Sequence, residues 1–411
     1  TALSLATAMG TSSSKHAWGS KANSQLIKSI TKETIFRNRD GSGTTWFHPR
    51  LCLIPGPEGE PTLFANLQEI GGSDYFGHVN WCESTDRGAT WSKPEPIPCL
   101  GRDPVKQHPG LLAGVCDVVP QYHAQTDTIL SMGHVVFYRG PRFARGDQLA
   151  RYPVYTVREK DGIWSERKIL KWNDPRGALI YTNNCGQRVV MPDGDIMMSF
   201  TFGSGKDARM VAGVRCTFDG NELKIKEVGP ALKNNVGRGL LEPSITQFQD
   251  QFFMTIRAED GHGYVAVSPD GLNYQRKTIW AWDDGKPISM STTQQHWLTH
   301  SDGLFLVYTR QDETNKNVIR WRSPLWVACV DPEKLCLIRE TEQVALPLVG
   351  DGVNKPNEVA LMGNFAVTNL SPNESCVTVG EWLPRQGAKG DTLLSRIRWN
   401  KTNRNLPAFA R

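Results

Sequence analysis

A short turn that recurs along the chain limits what it can fold into more than any other feature. Ser84-Thr85-Asp86-Arg87-Gly88-Ala89-Thr90-Trp91 reads S-x-D-x-G-x-T-W, and Ser268-Pro269-Asp270-Gly271-Leu272-Asn273-Tyr274 is a shortened copy still ending in an aromatic. Asp161-Gly162-Ile163-Trp164 and Cys216-Thr217-Phe218-Asp219-Gly220 are fainter echoes. The pattern has a physical basis. An aspartate bonds the backbone two residues on, glycine supplies a positive φ, and the aromatic packs the turn against the sheet behind it. Around these turns a unit repeats at roughly fifty to seventy residues: a polar-headed strand, a strongly apolar strand, then a third strand entering the turn. A period of that size points to a ring or stack of small sheets.

The expected fold is all-β, a six-bladed β-propeller, with seven blades as the alternative if one long unit divides. The units run from Trp46 to Trp91, Val115 to Trp164, Asn183 to Gly220, Glu242 to Tyr274, Thr292 to about Asp331, and Asn357 to about Trp399. This makes residues 41–400 one propeller domain, with residues 1–40 a leader remnant and N-terminal tail and residues 401–411 a C-terminal tail. The 38 glycines and 25 prolines, spread in short clusters between runs of Val, Ile, Thr, Phe and Trp, agree with many short strands. TALSLATAMG at the start reads as the end of a secretion leader, which predicts a secreted or periplasmic protein; a plain terminal tail is the alternative.

A net charge of +5 is too mild, and Lys and Arg are too dispersed, for a nucleic-acid surface. No stretch is apolar for long enough to predict a membrane span. The nine cysteines show no metal-type spacing and are read mainly as small buried residues. No cofactor or metal is expected.

In a propeller the innermost strand of each blade lines the axis, so polar residues heading successive blades are candidates for one shared site. Here they are His48, Asp117, Asn184 with Gln187, Glu242, Gln294-Gln295-His296, and Asn357 leading to Asn364. Glu242 and Arg257 are separated by one strand, turn and strand, a spacing that returns the guanidinium beside the carboxylate. Arginine offers a planar, permanently charged fork to an acidic sugar. Arg310 follows an apolar strand, and Arg320 and Arg322, two apart, would share a face if that segment were extended.

With these residues in view, the chain resembles the sialidase superfamily over nearly its whole length in blade order. Phe47-His48-Pro49-Arg50 stands at that family's first-blade Arg-Ile-Pro, Glu242 and Arg257 match its Glu and second Arg, Arg320 or Arg322 falls near its third, and the turns match its Asp-boxes. The resemblance implies an exo-glycosidase that clamps a substrate carboxylate with arginines, with Asp74 as acid/base. There are two departures. His48 stands at or next to the first arginine, with Arg50 on the same side of the strand, and no tyrosine follows Tyr308 to serve as the family's nucleophile.

The expected activity is therefore cleavage of a terminal acidic sugar, or of its neighbour, from an oligosaccharide or polysaccharide. His48, Asp74, Glu242 and His296 are the catalytic candidates. Arg50, Gln187, Arg257, Gln295, Arg310, Arg320 and Arg322 are the substrate-binding ones. Histidine transfers protons near neutral pH, so a uronate-directed lyase using His48 or His296 as base is an alternative, and His123 and His134 are further available imidazoles. A carbohydrate-binding propeller without catalysis is the third reading.

Overall fold

The computed structural model describes residues 26–144, 149–290, 292–384, 386–387 and 389–411. The proposed leader at residues 1–10 lies outside the described residues. Six antiparallel sheets follow one another in chain order, so the propeller has six blades rather than seven.

Blade 1 runs outward from Trp46–Pro55 through Pro61–Gly72 and Tyr75–Ser84 to Glu95–Pro96. Blade 2 has Leu111–His123, Thr128–Arg139, Pro153–Arg158 and Lys168–Ile169 as its main strands. Blade 3 has a split inner strand, Ile180–Thr182 and Val189–Val190, against Ile196–Gly203, Met210–Phe218 and Leu223–Val228. Blade 4 comprises Leu241–Phe248, Gln251–Arg257, Gly263–Ser268 and Thr278–Ile279. Blade 5 comprises His296–His300, Gly303–Tyr308 and Leu325–Asp331, with Cys336–Leu337 and Gln343–Leu346 both paired to the last of these. Blade 6 has Phe365–Ser371, Glu374–Gly380 and Thr392–Trp399.

The fourth strand of blade 6 is Ile27–Phe36, which pairs antiparallel with Thr392–Trp399. The expected N-terminal tail to residue 40 is thus corrected: from Ile27 the chain closes the ring. The sequence hid this strand because it lies at a sheet edge and much of it is solvent-facing, which leaves little apolar alternation to read. Charge secures it. Arg396 holds Glu33 through Nε–Oε1 at 2.7 Å and Nη2–Oε2 at 2.8 Å, and also reaches Glu374 at 3.0 Å. Residues 401–411 are likewise packed rather than trailing: Leu406 and Ala410 are buried with Leu51, Leu53 and Leu63.

Apolar faces of neighbouring blades form the core between them. Leu130, Met132 and Tyr155 of blade 2, for example, pack on Met198, Phe200 and Val214 of blade 3. The four recurring turns behave as the sequence predicts. Asp86 Oδ1 accepts from Thr90 N at 2.8 Å, Asp270 Oδ1 from Leu272 N at 2.9 Å, Asp161 Oδ1 from Ile163 N at 3.0 Å, and Asp219 Oδ1 from Asn221 N at 2.9 Å. The glycines beside them take positive φ. All nine cysteines are unpaired, and seven are buried.

Closure by Ile27–Phe36 gives the first testable prediction. A chain beginning after Arg37 leaves the edge of Thr392–Trp399 unpaired and should unfold roughly 10 °C or more below the full chain. Asp86→Ala removes one turn and should cost only about 1 kcal/mol. Thermal unfolding followed by circular dichroism checks both, and equal melting temperatures for the truncated and full chains would contradict the closing role.

Candidate functional site

The axial site is made by a repeated distortion of the innermost strands. Pairing slips between Phe47 and Arg50 in blade 1, between Cys116 and Val119 in blade 2, and between Leu241 and Ser244 in blade 4. At each slip one residue adopts a left-handed backbone: His48 at φ 53°, Asp117 at φ 56° and Glu242 at φ 42°. Asn184, at φ 52°, does the same where the inner strand of blade 3 breaks. Each such residue costs of order 1 kcal/mol or more, and strain of this kind gathers at functional sites. The bulges aim His48, Asp117, Asn184 and Glu242 into one cavity of about 520 Å³.

Asp117 is the centre of one half. Its Oδ1 accepts from Arg50 Nη2 at 2.8 Å and lies 3.6 Å from His48 Nε2, while its Oδ2 lies 4.0 Å from His134 Nδ1. Burial pushes its carboxyl pKa up, but His48, Arg50 and His134 outweigh this and hold it at about 2. Burial drives both His48 and His134 down to about 4 against the pull of Asp117, so both imidazoles are neutral at pH 7. Gln68 gives its amide hydrogens to the carbonyls of Val115 at 2.7 Å and Gly77 at 3.2 Å, which turns its oxygen toward His48 Nδ1 at 3.4 Å. This places the imidazole proton on Nδ1 and leaves Nε2 as the basic nitrogen.

Glu242 and Arg257 anchor the other half. Arg257 pairs across from Leu241, and its Nη1 meets Glu242 Oε1 at 2.5 Å while its Nε donates to Thr292 Oγ1 at 2.8 Å. Burial would raise the Glu242 pKa, yet Arg257, with Arg322 behind it, keeps it below the usual value. Arg320 and Arg322 both line the cavity, but the expected strand alternation is not the reason. Arg320 sits left-handed within a tight turn, Ile319–Trp321, and Arg322 directly follows it. Gly363 makes room for Arg322: a Cβ at that position would lie 2.5 Å from its Cδ. Burial, then the charges of Arg257 and Arg320, lower the Arg322 pKa to about 9, opposed by Glu242 and Asp74. Asp74 occupies an exposed left-handed position at the rim.

The cavity therefore gathers His48, Asp74, Glu242, Arg257, Arg320 and Arg322, with Arg50 directly behind Asp117. Four other candidates lie elsewhere. His296 is buried at the axis outside the cavity lining, with Nδ1 3.2 Å from Ser244 Oγ and its ring edge-on to Phe365, and burial lowers its pKa to about 3. Gln187 braces three blades: its Nε2 donates to Trp297 O at 2.8 Å, and its Oε1 accepts from Trp297 N at 2.7 Å and Ser244 Oγ at 3.0 Å. The amide of Gln295 is held between the Thr255 hydroxyl and Met290 Sδ. Arg310 is tied to Glu342 at 2.7 and 2.5 Å and lies over Trp326. Gln187, Gln295 and Arg310 satisfy the ring's own polar groups, whereas His296 Nε2 is buried without a hydrogen-bond partner among the described residues. His123 bonds Thr126 Oγ1 and Gly194 O, both at 2.8 Å.

Sequence reasoning gave no role to Cys116, Arg151, Arg209, Arg238 or Glu259 and offered His134 only as a spare imidazole, yet all of them line the cavity. His134 pairs with Cys116 across blade 2 inside an otherwise apolar strand, where one histidine leaves little signal. Cys116, Asp117 and His134 offer ligand atoms that all lie within 4.8 Å of one another, a donor set of the type that holds zinc. Arg50 on Asp117 opposes a cation there. Among the described residues no tyrosine lines the cavity, and Asn364 does.

No family model and no curated protein matches the sequence. Solved structures do match in shape. The Hadza microbial sialidase Hz136 superposes with a TM-score of 0.60 at 13% identity over 90% of this chain and 68% of that one. Trypanosoma rangeli sialidase gives 0.60 at 13% identity over 90% of this chain, which spans only 60% of that protein's length. A protein of unknown function from Dyadobacter fermentans DSM 18053 gives 0.61 at 16% identity, covering 91% of this chain and all of that one. The sialidase-like six-bladed propeller is thereby established as the fold.

The buried imidazoles predict how stability depends on pH. Folded pKa values of about 4 for His48 and His134 and about 3 for His296 lie below the usual 6.5. Their neutral forms therefore support the fold fully above pH 6.5, and that support is lost as pH falls toward 4, at up to about 1.4 kcal/mol per pH unit for each histidine. His296→Gln should remove one proton's share of the slope in denaturant unfolding measured between pH 7 and 4.5. A flat profile for the full chain would mean that the three rings protonate freely in the folded protein.

Proposed function

We propose that this chain is a carbohydrate-active enzyme that removes a terminal acidic sugar from a glycan. One observation carries the reading: Arg257, Arg320 and Arg322 converge beside Glu242 in a single cavity with Asp74 at its rim. Among the described residues, Arg322 is half-buried, its Nε 3.3 Å from Thr293 Oγ1, with no carboxylate of its own within ion-pair distance. A guanidinium so placed is expensive, and a sugar carboxylate offsets the cost while gaining a planar hydrogen-bonding partner. The likeness to sialidases at low identity supports the scaffold, and the assignment of roles rests on this chain's own residues.

In this reading the arginines fix the sugar's acid group and Asp74 gives its proton to the departing glycosidic oxygen. Glu242 and Asp117, both ionised, face the positive charge that develops on the ring. Water attacks the ring carbon and passes a proton to His48 Nε2, and Asp117 steadies the resulting imidazolium. This scheme uses no tyrosine. A second reading is favoured by the same neutral His48: on a uronate it would take the proton next to the carboxylate, the arginines would stabilise the charge formed, and the glycosidic oxygen would leave by elimination. A secreted or periplasmic location, where such glycans are met, belongs to the proposal.

The test is a panel of fluorogenic sialic-acid and uronic-acid glycosides, with absorbance near 235 nm recorded in parallel on uronate polysaccharides. The hydrolase reading expects release from acidic but not neutral glycosides, and a new 235 nm band would select the lyase. Arg322→Ala should lower kcat/KM by about 100-fold or more, with the melting temperature within a few degrees of the unaltered chain. Binding of acidic glycans without any turnover would replace both readings with a non-catalytic propeller.

A further inference from the structure

We infer that the bound glycan carries a second oxyanion on the sugar next to its terminal acid, and that Arg209 receives it. The inference rests on the proposed function above, in which Arg257, Arg320 and Arg322 take the terminal acid group. The cationic lining of the cavity continues beyond these three to a second set. The second set comprises Arg151 just before Pro153–Arg158 in blade 2, Arg209 at the head of Met210–Phe218 in blade 3, and Arg238 in the loop that enters blade 4. Arg238 is answered by Glu259, with Nε–Oε1 at 2.7 Å and its backbone N–Oε2 at 2.9 Å.

Arg209 is not answered. Among the described residues its guanidinium has no ion pair or hydrogen-bond partner, and its Nε is shielded from solvent without one. Burial, then the charges of Arg238 and Arg151, lower its pKa to about 10, opposed by Glu259 and Asp207. Nor can its backbone retreat. Arg209 N donates to Arg238 O at 2.8 Å, and Leu240 N donates to Arg209 O at 2.9 Å. Gly239, at φ +84°, approaches so closely that a Cβ on it would lie 2.3 Å from the Arg209 carbonyl oxygen, so only glycine allows this clasp. The chain thus holds a partly buried cation against two others, an arrangement that a bound oxyanion relieves.

The cavity, at about 520 Å³, has room for more than one sugar ring. Arg151 and Arg209 are mounted on blades 2 and 3, and Arg257, Arg320 and Arg322 on blades 4 and 5, with Arg238 in the loop between blades 3 and 4. A terminal acidic sugar joined to a neighbour bearing a carboxylate or a sulfate ester can engage both sets.

The experiment uses the full chain and immobilised glycans in matched pairs, each ending in sialic acid or a uronic acid. In one member the penultimate sugar is neutral, and in the other it carries a sulfate ester or, in a separate arm, a carboxylate. Binding about ten-fold tighter or more to the charged member is expected. Arg209→Ala and Arg209→Gln should bring that ratio close to one at unchanged melting temperature, whereas Arg322→Ala should weaken both members together. The arm with the larger ratio identifies the second group as sulfate or carboxylate. Equal binding of paired members by the unaltered chain would overturn the inference and leave the terminal-acid reading standing. Failure to bind any acidic glycan would remove that reading and this inference with it.

Discussion

Everything at the axis depends on one backbone event, the left-handed residue at the head of an inner strand. A regular strand would alternate its side chains between the two blade faces and leave its head carbonyls and amides as the only polar groups near the cavity. The bulge turns a chemically useful side chain along the axis instead, and three blades use it in register. The residues that take it are histidine, aspartate, asparagine and glutamate. The first three are types that tolerate this conformation comparatively well, whereas Glu242 does not belong to that group, and its ion pair with Arg257 helps to hold it.

Charge within the cavity is then arranged by subtraction. Asp117 is satisfied from beneath by Arg50, and Glu242 from the side by Arg257. With Asp117 and Glu242 already paired, the guanidinium groups of Arg209, Arg320 and Arg322 set the sign of what the cavity attracts. Burial keeps His48 and His134 from adding to that positive charge at neutral pH. The pocket thereby separates two tasks: fixed cations for binding, and neutral imidazole beside ionised carboxylate for moving protons.

The propeller and its six blades were legible because Asp-Gly turns repeat with a physical cause, and the Glu242–Arg257 pair was legible because strand and turn lengths fix where a hairpin returns. The misreadings share a different cause. Gln187 and Gln295 lie beside inner strands and His296 heads one, as the site residues do, but depth along the axis decides what reaches the cavity and has no counterpart in the sequence. Arg310 follows a strand as Arg257 ends one, yet its carboxylate partner, Glu342, lies 32 positions ahead and is visible only in the fold. Arg209 and Ile27–Phe36 escaped notice because each is ordinary in its local pattern and acquires meaning through a neighbour distant in sequence.

The strand Ile27–Phe36 also has a consequence for biosynthesis. Its partner, Thr392–Trp399, leaves the ribosome more than 350 residues later, so the closing strand waits for the third strand of blade 6 before either edge is covered. Blades 1 to 5 can each assemble as they emerge, while the ring stays open and presents two unpaired sheet edges to any other chain nearby. Sequence separation of this size delays the final pairing relative to the local hairpins. The closing edge, with its exposed Lys28 and Lys32, is accordingly the place where the newly made protein most needs charge to keep copies apart.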